Sequence, residues 1–563
     1  MLLALVTIGE IASPASIARH VLVWRTNRKL ATQRLCSAPF EPTQALMMAR
    51  AEPERDLSSC RREQHPDIEE NIQKVERAVM VSSDSKMWST TYDILIVGAG
   101  IAGSSLAHAL SSIPRAKPLR ICLLERSLAE PDRIVGELLQ PGGIALLEKL
   151  GLASCVKGID ATPAYGYCVV LDGKPVHIPY PNNRAGCGFH HGRFIQALRA
   201  KAKAAPNVEV VEATVSELIE CSMTKRVLGV RATRKEENAV EKETFFADLT
   251  IVADGCFSNF RSAVMGQAGV KPEVKSHFVG VILEDANLPI PKHGTVVLVK
   301  GSGPVLLYQI AEHDTRMLVD VKAPLPSDLK GHILNNIMPQ LPSALHIPVQ
   351  RALENDRLRR MPNSFLPPAQ QGGQHTKEGV ILVGDSWNMR HPLTGGGMMC
   401  AFNDVVILRR LLADVHDFSD WKEISQLLHS WHWQRKPLAA TVNILSVALY
   451  DLFGADDESL AVLRTGCFKY FERGGDCVEG PVSLLSGIIA SPAVLFRHFF
   501  AVAFYSIWVM FTHSHPVSTA DGKIVHVVPG WDAYPYLIIK SIQVFWTACI
   551  VFLPLMWTEV RWW

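Results

Sequence analysis

The chain is notable first for what it lacks. None of its 12 cysteines stands in a CxxC pair, which argues against a disulfide scaffold or a structural zinc site and fits reduced thiols facing the cytosol. It has no strong charge of either sign. A formal net charge of +2 over 563 residues leaves no basic field for nucleic acid and no acidic field for a basic partner. There is no internal repeat and no long low-complexity tract. The opening apolar run, Met1 to Ile8, has no basic stretch before it, so a cleaved signal peptide is not expected, and it is too short to span a bilayer.

What the chain does have is apolar bulk. Its hydrophobic fraction is 48% and its mean hydropathy is +0.12, high for a soluble protein of this length, so membrane contact is expected. The length allows two or three domains. Residues 1–90 read as an N-terminal segment. Its first part is a weak membrane-surface anchor, broken by Pro14, Arg19, His20 and Arg25, and residues 51–88 form a polar flexible linker. Folded structure should begin near Thr91. From there the patterns are those of an α/β (α+β) protein with a sheet-rich insertion. The expected divisions are 91–265 for the first part of a cofactor domain, 266–375 for a substrate domain, 376–440 for the returning cofactor segment and 441–563 for a helical region. In the last region, Phe499–Phe511 is uncharged but short for a span. Leu537–Trp557 is long enough but carries Lys540, Gln543 and Pro554. These runs predict helices that dip into one leaflet or span poorly, with Arg497, His498 and Lys540 at headgroup level; a buried core pair is the plainer alternative.

The stretch YDILIVGAGIAGSSLAHAL is a strand, a tight turn and a helix. Gly98, Gly100 and Gly103 form GxGxxG: one glycine for the turn, one for close approach of a pyrophosphate, one for helix–strand packing. A second strand, LRICLLER, ends in Glu125, at the distance expected for a ribose-binding carboxylate. The choice between FAD and NAD turns on GDSWNMRHPLTGGGM, from Gly384 to Met398. After the apolar run Val380–Val383, Asp385 can accept a hydrogen bond from a ribityl hydroxyl. Pro392 bends the chain, and Gly395, Gly396 and Gly397 let backbone N–H groups reach a flavin ring and start a helix whose positive end favours reduced flavin.

These features, with VADG at Val252–Gly255, resemble the FAD-dependent aromatic-hydroxylase superfamily, whose fold is a Rossmann-like GR2-type FAD domain. More specific stretches resemble squalene epoxidases (squalene monooxygenases): EPDRIVGELLQPGG, FHHGRFIQALR, SHFVG, RMPNSFLPP and NMRHPLTGGGM. The resemblance runs from about Tyr92 to the C-terminal region. It implies that Ile101, Ala102, Glu125 and Arg126 hold the AMP half of FAD, with Val215 ending a strand near the adenine. It places Arg133 and Leu138 beside the flavin, Arg199 against the cofactor, Asp254 near it, and Asp385, Pro392, Gly396 and Met398 at the ribityl chain and ring. Tyr167 matches a tyrosine that supports activity, and Gln140 its hydrogen-bond partner.

The implied reaction is epoxidation of squalene to (S)-2,3-epoxysqualene with O2 in sterol (ergosterol-type) synthesis. Electrons would come from NADPH through NADPH–cytochrome P450 reductase, since no second GxGxxG exists. The implied location is the endoplasmic reticulum membrane with the catalytic part facing the cytosol, or lipid droplets. An alkene offers no charge to grip, so placement and water exclusion carry the chemistry and no Ser-His-Asp or paired-carboxylate constellation is expected. Rival readings are a FAD-dependent prenyl (geranylgeranyl) reductase and a non-catalytic binder of prenylated proteins on the same fold.

Plainer roles stand beside these. Tyr167 reads equally as an ordinary strand tyrosine. His190 and His191, adjacent on a strand, point to opposite faces and cannot share a metal, so no metal site is expected. His391 would order its loop, Asp254 would cap a helix, and Arg359 and Arg360 would be solvated, with FLPP beside them lining a channel.

Overall fold

The protein is described by a computed structural model, which covers residues 90–235, 241–266, 271–355, 358–454, 457–518 and 524–560. The anchor and linker expected within residues 1–88 lie outside the described residues.

Two sheets organise the chain. In the first, Thr90–Val97 pairs in parallel with Ile121–Glu125 on one side and Glu243–Val252 on the other. Val208–Glu220 and Val380–Leu382 extend this parallel core outward. Ile94, Leu95 and Ile96 are all fully buried, as a strand covered on both faces requires. The covering helix Ile101–Ser111 packs against both His191–Lys203 and Gly397–Ala413. The antiparallel strand Val227–Arg234 joins the far half of Val208–Glu220 to the start of Glu243–Val252. Val215 therefore does not end a strand. The strand continues to Glu220: it leaves the parallel core after Glu212, pairs antiparallel from Ala213, and has a register shift between Val215 and Glu217 within that pairing.

The second sheet has seven strands: Arg359–Phe365, Glu273–Glu284, Asp314–Lys322, Val305–Gln309, Gly294–Leu298, Gly166–Leu171 and Lys174–Pro179, in spatial order. All neighbours are antiparallel except Gly166–Leu171 with Gly294–Leu298. Side-chain alternation divides its two faces. Cys168 and Val170 join Ile333, Ile337, Leu345 and Val349 in one core. Tyr167 and Val169 join Ile134, Phe278, Leu318 and Leu393 in another, turned toward the first sheet's glycine-rich loops.

Five helices follow. Trp421–Phe453 begins on Asp420, whose carboxylate accepts from the N–H groups of Lys422 and Glu423, and it runs unbroken through residue 440. Glu458–Glu472, Asp476–Leu485, Pro492–Thr512 and Tyr534–Val560 complete the set. The apolar run at Phe499–Phe511 is part of a 21-residue helix, so it is about 30 Å long rather than short for a span. This helix and Trp531–Glu559 are both long and apolar enough to cross a bilayer. They are not a buried core pair: 33% and 28% of their apolar windows are buried, and Trp508, Trp546 and Trp557 are half-exposed or more. Two of the three cations expected at headgroup level are buried among the helices. Lys540 turns inward to Glu458 at 2.5 Å, and His498 is buried against Tyr470, because the neighbouring helices offer partners that lipid would not. Arg497 is exposed but pairs with Asp476.

Candidate active site

The first glycine turn has the geometry its spacing predicts. Gly98 has φ +103°, and a Cβ there would lie 2.5 Å from the Ala253 carbonyl oxygen. A Cβ on Gly103 would lie 1.9 Å from the Gly98 oxygen, so helix and strand are packed to backbone contact. At Gly100 an added Cβ meets nothing within 4 Å, which leaves the open approach a pyrophosphate needs. The helix starting at Ile101 has no capping side chain, so its first N–H groups remain for a ligand. Glu125 accepts from the Ala99 N–H at 2.7 Å. Arg199 donates to the Ala99 oxygen at 2.9 Å and to the Ala129 oxygen at 3.1 Å, and pairs with Glu125 at 3.4 Å. Arg199 thus clamps the turn from behind. Arg126 is exposed beside it.

The second segment is held as firmly. Arg261 donates to the backbone oxygens of Ser386 at 2.7 Å and Asp385 at 3.0 Å, and the Ser386 hydroxyl donates to the Val252 oxygen at 2.9 Å. These bonds fix the strand end from which Asp385 projects. Gly395 adopts the left-handed region, φ +61°, after the turn Pro392–Thr394, and the helix Gly397–Ala413 starts on Gly396, again without a capping side chain. The His391 Nδ1 accepts from the Leu393 N–H at 3.3 Å while its ring stacks on Tyr450, so it does order the loop. One Asp254 oxygen accepts from the Asn259 N–H at 3.0 Å, the turn-capping role; its other oxygen is buried without a partner, and burial pushes the carboxyl up.

Between these loops and the second sheet lies a cavity of about 610 Å³. Gly100, Ile101, Ala102, Arg133, Leu138, Tyr167, Asp385, Pro392 and Met398 line it. Gly98, Gly103, Glu125, Arg126, Gln140, Arg199, Val215, Asp254 and Gly396 are not among the residues that line it. Leu306, Leu318, Met361 and Leu393 give the other end an apolar surface. FAD fits the donor set: two uncapped helix N-termini and two glycines with open flanks, Gly100 and Gly397, border one cavity.

The best-defined polar feature is a buried cluster at the middle of the wall. The Gln140 Nε2 donates to the Tyr167 hydroxyl and, at 3.2 Å, to the Thr394 oxygen. The Tyr180 hydroxyl donates to the Gln140 Oε1 at 2.6 Å. Burial pushes the Tyr167 hydroxyl up to about 12, so it stays a neutral O–H donor. The His191 Nδ1 donates to the Gly136 oxygen at 2.9 Å, and burial pushes the ring down to about 4, so it is neutral. His190 turns to Asp314 at 2.8 Å; the two histidines diverge at a strand-to-helix junction rather than along a strand.

Several residues were not singled out from sequence. Glu137, in the wall, pairs with Arg316 through two bonds of 2.7 and 2.9 Å, both side chains nearly inaccessible. An arginine inside the apolar strand DTRMLVDVK is the signal for it, since a charge there must find a partner. Ser276, Asp320 and His391 also meet in one buried cluster with Asn363. Their order is not that of a nucleophile relay: the Ser276 hydroxyl lies between the other two and donates to Asp320, so His391 has no proton to take. Arg359 and Arg360 are exposed, and Arg359 pairs with Asp132. The channel wall is formed by Met361, Pro362 and Ser364, one step before FLPP, because the chain leaves the sheet at Phe365.

Comparison with known proteins agrees with this geometry. Residues 246–522 match the squalene epoxidase family. A squalene epoxidase of Aspergillus fumigatus is 45% identical over 83% of this chain and 93% of its own length. A squalene monooxygenase of Mus musculus is 42% identical over 85% of this chain and 80% of its own. Among solved structures, p-nitrophenol 4-monooxygenase from Pseudomonas putida superposes with a TM-score of 0.57 at 15% identity, over 71% of this chain and 98% of that one. A probable FAD-dependent monooxygenase from Pseudomonas aeruginosa does so with 0.53 at 19%, over 65% and 97%. The flavin-monooxygenase fold, the paired glycine loops on one cavity and the extent of these matches converge: the chain belongs to the squalene epoxidase family.

Proposed function

We propose that this protein is an FAD-dependent monooxygenase that converts squalene to (S)-2,3-epoxysqualene in sterol synthesis. The observation that carries the reading is one cavity whose polar end has the two glycine loops and whose far end is an apolar sheet face. When bound there, FAD supplies the oxygen-activating chemistry. One atom of O2 enters the terminal alkene. The other leaves as water, with two electrons from NADPH passed on by NADPH–cytochrome P450 reductase and two protons.

The chain's own residues bind, orient and exclude water. Gly100 and the helix N-terminus behind it take the pyrophosphate, with Ile101, Ala102, Glu125 and Arg126 on the AMP half. Asp385 and Met398 hold the ribityl chain and ring, and Arg133 and Leu138 flank them. The sheet wall fixes the hydrocarbon and keeps water from it, worth more here than any charged group because the alkene carries none. Tyr167 and Gln140 hold the Thr394 carbonyl, and with it the flavin loop, in place.

The outward aromatic face of the last two helices sits in lipid and sets the pocket against its substrate source. The endoplasmic reticulum membrane is the proposed site, with the catalytic body on the cytosolic side and lipid droplets as a second location. The test is aerobic incubation with squalene, NADPH and the reductase. Epoxide formation with matching O2 consumption is expected. A saturated prenyl product without O2 uptake would assign a reductase, and a colourless protein without FAD a prenyl-protein binder.

A further inference from the structure

The flavin loop and the last membrane helix are joined by an unbroken buried polar chain. Arg390, within NMRHPLTGGGM, lines the cavity. Its Nε donates to the Asn443 Oδ1 at 2.8 Å and its Nη2 to the Asn388 Oδ1 at 2.6 Å. Asn443, on Trp421–Phe453, donates its Nδ2 to the Glu559 Oε1 at 2.8 Å. The other Glu559 oxygen accepts from Lys436 at 2.9 Å. Glu559 is in the final turn of Tyr534–Val560, otherwise an apolar helix, yet it is 4% exposed and Asn443 is 1% exposed.

Two features make this chain directional. A carboxamide has one accepting and one donating end, and Asn443 stands between a donor-only guanidinium and an acceptor-only carboxylate. Glu559 therefore dictates which end faces Arg390. Without an acceptor at 559 the amide NH2 keeps only a long 3.4 Å contact to the Asn388 Oδ1, and its oxygen is held less firmly toward the arginine. The charges are also unequal. Arg435 is matched by Asp404 in a two-point pair at 2.7 and 2.9 Å, and Lys436 by Glu559. Among the described residues Arg390 has no carboxylate; its acceptors are amide and backbone oxygens. Its charge is left to act on the cavity.

We propose that Arg390 is the fixed cation of the flavin loop and that Glu559 is its positioning residue, acting through Asn443, so that seating of the last membrane helix completes the flavin site. This rests on the reading of the cavity as the FAD site. The bland alternative is that Glu559 only neutralises Lys436.

Full-length protein in detergent separates the two through the variants Glu559→Leu, Glu559→Gln and Glu559→Leu/Lys436→Met. The readouts are FAD dissociation constant by flavin fluorescence, midpoint potential of the bound flavin, thermal unfolding and sedimentation with vesicles. Glu559→Gln keeps an acceptor for Asn443 and should bind FAD close to wild type. The double variant removes both buried charges together. It should unfold and sediment like wild type, yet bind FAD about tenfold more weakly, the size of one charge-assisted hydrogen bond, with a lowered midpoint potential. Wild-type affinity and potential in the double variant would overturn the inference, because neutralising Lys436 would then be all Glu559 does. Failure of the double variant to fold would overturn it too, placing Glu559 in the fold and not in the site. A wild-type protein that binds no FAD would instead overturn the flavin reading itself.

Discussion

Replacing the hub of the buried cluster tests the site most sharply. Gln140 satisfies two tyrosine hydroxyls and the Thr394 carbonyl at once. Tyr167→Phe removes one partner and leaves Gln140 bonded to Tyr180 and Thr394, so the stability cost should be about 1 kcal/mol. Gln140→Leu is harsher. It strands the Tyr180 hydroxyl and leaves Tyr167 only a long 3.5 Å contact to Thr394. Two poorly satisfied buried groups should cost roughly 2–4 kcal/mol. Catalysis should respond differently from stability. Tyr167→Phe should lower kcat about tenfold with little change in melting temperature, since Thr394 is the residue before Gly395 and the loop it anchors carries the flavin ring. The assays are urea unfolding and steady-state epoxide formation on both single variants and the double. A coupling of about 0.5–3 kcal/mol is expected between Gln140 and Tyr167. Normal kcat in Tyr167→Phe would refute the reasoning and return that residue to ordinary strand packing.

Three further outcomes are expected. Asp385→Ala should weaken FAD binding by about 1.5–3 kcal/mol, measured by reconstitution of apoprotein; unchanged affinity would remove Asp385 from the ribityl contact. His191 is held near a pKa of about 4 when folded, against 6.5 as the ordinary value, so its cost is absent above pH 6.5 and grows as pH falls toward 4. About 3 kcal/mol of stability should be lost across that window, and His191→Gln should remove the loss in urea midpoints at pH 7 and 4.5. Truncation before Leu484 should free the protein from membranes and expose apolar surface, so some aggregation should follow; if fractionation shows that only removal of residues 1–50 releases it, the anchor is at the other end.

How much of this could be read from the sequence depended on whether a residue's role is local. Gly98, Gly100 and Gly103 act within one turn, and Asp385 within one strand end, so spacing alone located them. The Tyr167–Gln140 contact came through family resemblance, since residues distant in sequence leave no periodic mark. Arg316 and Asp320 sat in plain view as charges in apolar strands, but nothing in a single strand names the partner. The Lys540 partner, Glu458 on another helix, is invisible in the sequence for the same reason. Helix length was misjudged at Phe499 because Arg497 and His498 interrupt the apolar count while the helix itself continues from Pro492.

The strand order of the first sheet has a consequence for how the protein is made. Val380–Leu382 docks beside Glu243–Val252, and five of the seven strands of the substrate sheet are spliced between them. A ribosome adding 5–20 residues per second needs on the order of 15–60 s to travel from Gly98 to Asp385. For that interval the nascent chain has the first glycine loop without the second. Such high contact order slows closure further. The two glycine loops cannot border one cavity until that interval has passed, so the cavity is completed late in synthesis.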